Sequence, residues 1–72
     1  MTETFDKDGY DKDGWHRNDR MAKAVNYTAM ARKESLAEAT FHVIYRMATT
    51  GETIDAQIAR MRPLTPDGKR EP

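Results

Sequence analysis

The chain contains no cysteine and no apolar run near the roughly 20 residues that would cross a bilayer. Without cysteine there is no disulfide and no thiolate metal site, which is compatible with a reducing compartment. The N-terminus is acidic and aromatic where a secretory signal would be basic and then apolar. A soluble protein of the cytoplasm is therefore expected. With 72 residues the chain is one domain at most, with a small core.

Residues for catalysis and for metal binding are also sparse. Two histidines and scattered carboxylates make no recognisable zinc spacing, and no glycine-rich loop of the phosphate-binding type occurs. Glu38, His42 and Arg46 share one helical face, but an exposed ladder of charged side chains explains them without an active site. We therefore expect no enzyme activity, no catalytic residue, no cofactor and no metal.

The formal net charge is zero, but the charge is unevenly distributed. Residues 1–14 carry five acidic side chains and two lysines, whereas residues 15–34 carry five basic side chains and two acidic ones. An acidic arm followed directly by a basic helix can fold back onto that helix or bridge two surfaces. Alternatively, the acidic arm and the basic helix are both solvated and do not contact each other.

The stretch FDKDGYDKDGWHR, residues 5–17, twice repeats an aromatic residue followed by Asp-Lys-Asp-Gly. Asp followed three residues later by Gly suits a type I turn, and the period fits neither a helix nor a strand. The stretch predicts an irregular arm that presents Phe5, Tyr10 and Trp15 one per turn. Because such rings concentrate at interfaces, we predict that they bind a partner together with Arg17. The alternatives are an arm ordered on the chain's own helices and a disordered terminus.

The clustered aspartates of the repeat raise the alternative of a Ca²⁺ site. An EF-hand loop that starts at Asp6 would have Asp11 where the loop needs glycine, and Arg17 where it needs a bidentate glutamate. The pattern therefore fails in detail.

The aromatic-Asp-x-Asp-Gly units that close on Gly-Trp-His-Arg resemble the tyrosine-aspartate-glycine repeats of small proteins in bacteriophage genomes. The resemblance covers residues 5–17. It implies an origin in a phage or mobile element, and with it a location in the host cytoplasm or the virion. It implies no activity and no site residues.

Downstream of the arm, capping residues and hydrophobic spacing predict an all-α bundle of two to three short helices. The first helix follows a cap at Asn18 or Asp19. The second helix starts at the capping box that begins with Ser35, and it ends before Gly51. The third helix runs from a cap at Thr53 to Arg62. Residues 1–18 form the arm, residues 19–62 the helical domain, and residues 63–72 a flexible tail.

The second predicted helix is apolar around most of its circumference, which favours a central helix with neighbours on two sides. One face is expected to pack on the third helix through Leu36, Val43, Met47, Ile54 and Ile58. We predict that a second face, represented by Met30, Phe41 and Tyr45, binds a protein partner or a second copy of the chain.

These features favour a small non-enzymatic accessory protein that binds and modulates a host protein through its helices and aromatic arm. One alternative is a capsid or tail accessory subunit of the cement type. Another is a helix-turn-helix regulator that binds DNA through Gln57, Arg60 and Arg62. The last is disfavoured because two of these side chains lie at the C-terminal end of the helix. No membrane partner is expected.

Overall fold

The structure, a computed structural model, describes residues 4–63. They form two turns, a 3₁₀ helix at Arg17–Asp19 and three α-helices, which are α1 (Arg20–Arg32), α2 (Leu36–Thr50) and α3 (Ile54–Met61). Apart from one antiparallel bridge between Tyr10 and His16, the described residues contain no β-structure. The predicted all-α fold is confirmed. Of the predicted tail, all but Pro63 lies outside the described residues.

The start and end of α2 follow the predicted capping signals. Ser35 Oγ accepts a hydrogen bond from the Glu38 N–H at 3.1 Å, and the Glu38 carboxylate accepts one from the Ser35 N–H at 3.1 Å. These two bonds complete the capping box. Gly51 ends the helix with a φ of 74°, in the left-handed region where glycine is unstrained.

Thr53 caps α3 as predicted, because its Oγ1 accepts a hydrogen bond from the Ala56 N–H at 3.1 Å. Asp19 occupies the N-cap position of α1, one of the two positions predicted, but its side chain makes no capping hydrogen bond. Instead, His16 Nδ1 accepts a hydrogen bond from the Asn18 N–H at 3.1 Å and caps the 3₁₀ helix.

The central helix is α1, which packs against both α2 and α3, whereas α2 and α3 contact each other only sparsely. The buried apolar core consists of Ala24, Val25, Tyr27 and Ala29 of α1, Ala39 and Val43 of α2, and Ile58 of α3. Met21, Ile54 and Met61 pack against its margin.

The prediction that α2 is the central helix was therefore wrong. This helix buries only Ala39 and Val43, and the side chains of Leu36 and Met47 are 55% and 39% exposed. Val43 and Ile58 lie in the core as predicted. The apolar pattern was misleading because the residues that α1 buries include a lysine, a threonine, a tyrosine and two alanines and so form a weak aliphatic stripe, whereas α2 leaves its largest apolar residues outside.

Candidate functional site

Both aromatic repeats form the same closed loop. In the first loop, the Gly9 N–H donates to the Asp6 carbonyl at 3.0 Å, and the Asp6 N–H donates to the Tyr10 carbonyl at 2.8 Å. The residues at the same positions of the second repeat make the same two bonds at 3.0 and 2.9 Å. The period of the sequence therefore equals the length of one loop.

The first aspartate of each repeat holds its loop closed from the inside. Asp11 Oδ1 accepts hydrogen bonds from the backbone N–H groups of Asp13 and Trp15, both at 3.0 Å. The equivalent oxygen of the first loop accepts two equivalent bonds at 2.9 Å. Glycine is required at Gly9, since its φ is 90° and a Cβ there would lie 2.7 Å from His16 Nε2.

The second loop docks on α1 around a buried lysine. Lys23 Nζ lies 2.6 Å from Asp11 Oδ2 and 3.0 Å from Asp13 Oδ2, and its side chain is fully buried. Arg20 adds a contact to Asp11 at 3.2 Å, and Arg62 pairs with Asp13. Buried charges need such compensation. The acidic arm therefore folds back onto the basic helix, which is one of the alternatives that the sequence left open.

Both aspartates of this buried ion cluster ionise more readily than usual. Burial is the largest single influence and opposes ionisation of Asp11 and Asp13, but the hydrogen bonds and positive charge of Lys23 together with backbone N–H donors at Asp11 and with Arg62 at Asp13 outweigh it. The pKa of each carboxyl therefore lies below its ordinary value. Burial, reinforced by the negative charge of Asp13, raises the pKa of the Tyr27 hydroxyl. At neutral pH the cluster thus consists of ionised carboxylates above a neutral tyrosine.

The predicted contact rings of the arm touch their own chain. Trp15 is 6% exposed, and its ring meets that of Tyr27 edge to face with the centroids 6.5 Å apart. Tyr10 and Phe5 are half-buried, and the Arg20 guanidinium lies 5.7 Å from the centre of the Phe5 ring. Partner binding by these rings and by the exposed Arg17 stays a prediction, and in this fold the Trp15 ring lies in the interior.

The other predicted contact residues are exposed. Met30 of α1 is 44% exposed, and Phe41 and Tyr45 of α2 are 64% and 55% exposed. Helical spacing places the last two on the side of α2 that points away from the core. We call this side the outer face of α2, and it consists of Ala37, Phe41, Ile44, Tyr45 and Ala48. The rings of Phe41 and Tyr45 stack with centroids 5.8 Å apart, and no member of the face is charged.

The three side chains expected to contact DNA bases are engaged within the chain. Gln57 is 1% exposed, and its Nε2 donates to the carbonyls of Val43 and Glu52 at 3.1 and 3.3 Å. Arg60 binds the Glu52 carboxylate through two hydrogen bonds of 2.9 and 3.0 Å, and Arg62 pairs with the second loop. Gln57 therefore links α3 to α2, a role that sequence reasoning missed because its partners are backbone carbonyls.

The predicted ladder on α2 does not form. Glu38 belongs to the capping box, His42 Nδ1 lies 2.8 Å from Glu34 Oε1, and Arg46 donates to Glu52 at 2.7 Å. Within residues 4–63 no group of three or more histidine, aspartate or glutamate side chains is placed to hold a metal ion.

A cavity of about 190 Å³ lies between the three helices, beside the outer face of α2. Its lining residues are Thr28, Arg32, His42, Tyr45, Arg46, Gln57, Arg60 and Met61. Sequence reasoning did not find this cavity, because its arginines lie far apart along the chain and come together only when the helices pack.

Comparison with protein-family models, with curated proteins and with solved structures found no match. None of the helices formed by the described residues has the length and apolar character needed to cross a membrane.

We expect acid to destabilise the protein. The pKa values of Asp11 and Asp13 lie below the ordinary 3.8, and hydrogen bonds from Arg60 and Arg46 lower the pKa of Glu52 from 4.5 to about 2. As the pH falls, these carboxyl groups are protonated in the unfolded chain before they are protonated in the folded chain, because their pKa values are lower in the fold. The stability that the three carboxylates contribute is therefore present above about pH 4.5 and is lost progressively below it. Urea unfolding followed between neutral pH and about pH 2 measures the effect.

An Asp13→Asn variant should show a weaker dependence of stability on pH, because one carboxyl with a lowered pKa is gone. Asp8 occupies the equivalent position of the first loop and is exposed, so Asp8→Asn should keep the pH dependence of the parent. Equal pH dependence in the parent and in Asp13→Asn would contradict this account of the ion cluster.

Proposed function

We propose that this protein is a small non-enzymatic binding module that attaches to another protein through the outer face of α2. The observation that supports the proposal is the exposure of Phe41, Ile44 and Tyr45, at 64%, 52% and 55%, on one uncharged side of a helix. Aromatic and large aliphatic side chains in a contiguous exposed patch are typical of protein interaction surfaces. The chain's own core, which includes Tyr27 and Ile58, does not cover these three side chains.

The fold presents this face in a fixed position. Ala39 and Val43 hold the opposite side of α2 on α1, and the capping box and Gly51 define its two ends. A partner therefore meets a formed helix, and binding orders only side chains. Such preorganisation lowers the entropic cost of association.

Of the roles that the sequence left open, a protein modulator fits these contacts best. A cement-like subunit that lays its arm across a lattice would have to pull the second loop away from Lys23, which breaks a buried ion cluster. Binding through the outer face of α2 needs no such rearrangement. A helix-turn-helix regulator would need side chains that the chain already uses internally, among them the buried Gln57.

A second copy of the chain is one partner that the outer face itself suits. When two α2 helices pack antiparallel, Phe41 can face Ile44 of the other copy while Ala37 faces Ala48. Large residues then meet at the centre and small ones at both ends, and the two helix dipoles oppose each other favourably. Each copy contributes one side of a single short helix, and interfaces this small are weak. The expected dimer is therefore weak and dependent on concentration.

Phe41→Lys should abolish this self-association without unfolding the chain, because the Phe41 side chain is 64% exposed. Sedimentation equilibrium should show a mass that rises with concentration for the parent and a monomer for the variant. Thr49→Lys places the same charge at an exposed position of α2 outside the outer face, and it should associate like the parent.

A parent chain that stays monomeric at high micromolar concentration would exclude self-association. Capture from the native host then tests a different protein partner, which should be retained by the parent and by Thr49→Lys but not by Phe41→Lys. If Phe41→Lys retains every partner, the outer face of α2 is not the contact surface.

A further inference from the structure

The cavity between the three helices is rich in hydrogen-bond donors. Thr28 lines it from α1, Arg46 and His42 from α2, and Arg60 from α3, while Arg32 stands at the end of α1. None of the described residues that line it is acidic. The volume of about 190 Å³ lies below the roughly 300–1,000 Å³ of pockets for drug-sized ligands, so a small ligand is indicated.

Two glutamates outside the cavity hold its arginines in place. Glu52 accepts hydrogen bonds from Arg60 at 2.9 and 3.0 Å and from Arg46 at 2.7 Å, and Glu34 accepts one from Arg32 at 2.9 Å. Three arginines against two glutamates leave an excess of positive charge. Arg46 uses only its Nε–H on Glu52. Because a guanidinium has further N–H groups, donors remain for a ligand.

Thr28 is the one residue of the cavity lining whose buried hydroxyl lacks a partner within residues 4–63. Its side chain is 2% exposed, and its hydroxyl has no hydrogen-bond partner among residues 4–63. The hydroxyls of Thr40, Thr49 and Thr50 all donate to a carbonyl one helical turn earlier. A buried hydroxyl that makes no such bond is uncommon and needs an explanation. Because Thr28 lines the cavity, we assign the missing partner to a ligand bound there.

We propose that this cavity binds a small phosphate-type dianion, either inorganic phosphate or a small phosphomonoester. Guanidinium groups match the spacing of phosphate oxygens and bind them with paired hydrogen bonds. The donors come from three helices and so from several directions, which suits a tetrahedral anion better than a planar carboxylate. Tyr45 belongs both to the cavity lining and to the outer face of α2, but the proposed anion contacts come from the arginines and Thr28, which lie outside that face. Either proposal can therefore hold without the other.

The test is a titration of the full-length, ¹⁵N-labelled chain with inorganic phosphate and, separately, with glycerol phosphate, followed by NMR. We expect saturable shifts at the Nε–H groups of Arg32, Arg46 and Arg60 and at the Thr28 backbone N–H. Potassium chloride at the same ionic strength should produce no saturable shift. Saturation by phosphate alone identifies the inorganic ion, and saturation by both identifies the phosphomonoester class.

Three variants distinguish specific binding in the cavity from nonspecific attraction of anions to a basic surface. Arg46→Gln should weaken phosphate binding about tenfold, because it removes a charge-assisted donor. Thr28→Val keeps the shape of the side chain and removes the hydroxyl, and it should also weaken binding measurably. Arg17→Gln removes an exposed arginine that does not line the cavity, and it should bind like the parent.

Three results would overturn the proposal. These are shifts that rise linearly with anion concentration, equal shifts in potassium chloride, and an unchanged affinity in both Arg46→Gln and Thr28→Val. Circular dichroism checks that each variant is folded. If Arg46→Gln does not fold, Arg32→Gln provides the same test, because Arg32 is held by Glu34 and not by Glu52.

Discussion

Val43→Asp is expected to unfold most of the protein at room temperature. The Val43 side chain is fully buried on the side of α2 that packs against α1. Losing its apolar contacts costs about 1.5–3 kcal/mol. Burying a carboxylate without a cationic partner costs several kcal/mol more. The sum is comparable with the whole stability of a domain of this length, about 4–11 kcal/mol. Circular dichroism and urea unfolding measure the loss.

Ile44→Asp is the matched control, because it places the same charge one residue further along α2. Ile44 is 52% exposed, so the free energy of unfolding should change by only about 0.5 kcal/mol. Unchanged melting of Val43→Asp would show that the packing of α2 on α1 is wrong. An equally large loss in Ile44→Asp would show that the outer face of α2 is covered in solution.

Lys23→Met is expected to destabilise the protein by about 3–5 kcal/mol, because it removes the central cation of a buried cluster. Asp11 and Asp13 would then face each other with only the flanking arginines for compensation. Urea unfolding measures the free energy, and the fluorescence of Trp15 reports on the docking of the loop, since this is the one tryptophan of the chain and its ring is buried. Undocking should shift its emission to longer wavelength.

Two further variants show whether charge causes this loss. Lys12→Met removes an exposed lysine of the same loop and should change stability little. Combining Lys23→Met with Asp11→Asn and Asp13→Asn removes the uncompensated charges, so the triple variant should be more stable than Lys23→Met alone. If Lys23→Met unfolds like the parent and keeps buried Trp15 fluorescence, the cluster does not stabilise the docked loop.

Features that depend on residues close together in sequence could be predicted. The capping box at Ser35, the glycine end of α2 at Gly51 and the Thr53 cap of α3 all form as expected. The turn in each repeat also forms, with Gly9 and Gly14 at φ values of 90° and 86°. Each of these features is decided by hydrogen bonds between residues at most four apart, so the local sequence contains both partners.

The candidate sites were less predictable, because their groups come from distant parts of the chain. The exposure of Phe41 and Tyr45 agrees with their assignment to a second face of α2. The burial of Lys23 could not be foreseen, since a lysine is buried only where carboxylates meet it, and these lie on the preceding arm. The pairing of Arg46 and Arg60 with Glu52 could not be foreseen either, because the two arginines meet this glutamate only once α2 and α3 are in place.

The sequence by itself determined three helices, the caps of α2 and α3 and the turns of the two repeats, because these follow from local hydrogen bonding and backbone preference. Only the tertiary structure decided that α1 is central and which side of α2 is buried. The hydrophobic effect has no direction, so an apolar pattern all round α2 does not say which side meets a neighbour. Packing on α1 buried Ala39 and Val43 and left Phe41, Ile44 and Tyr45 outside.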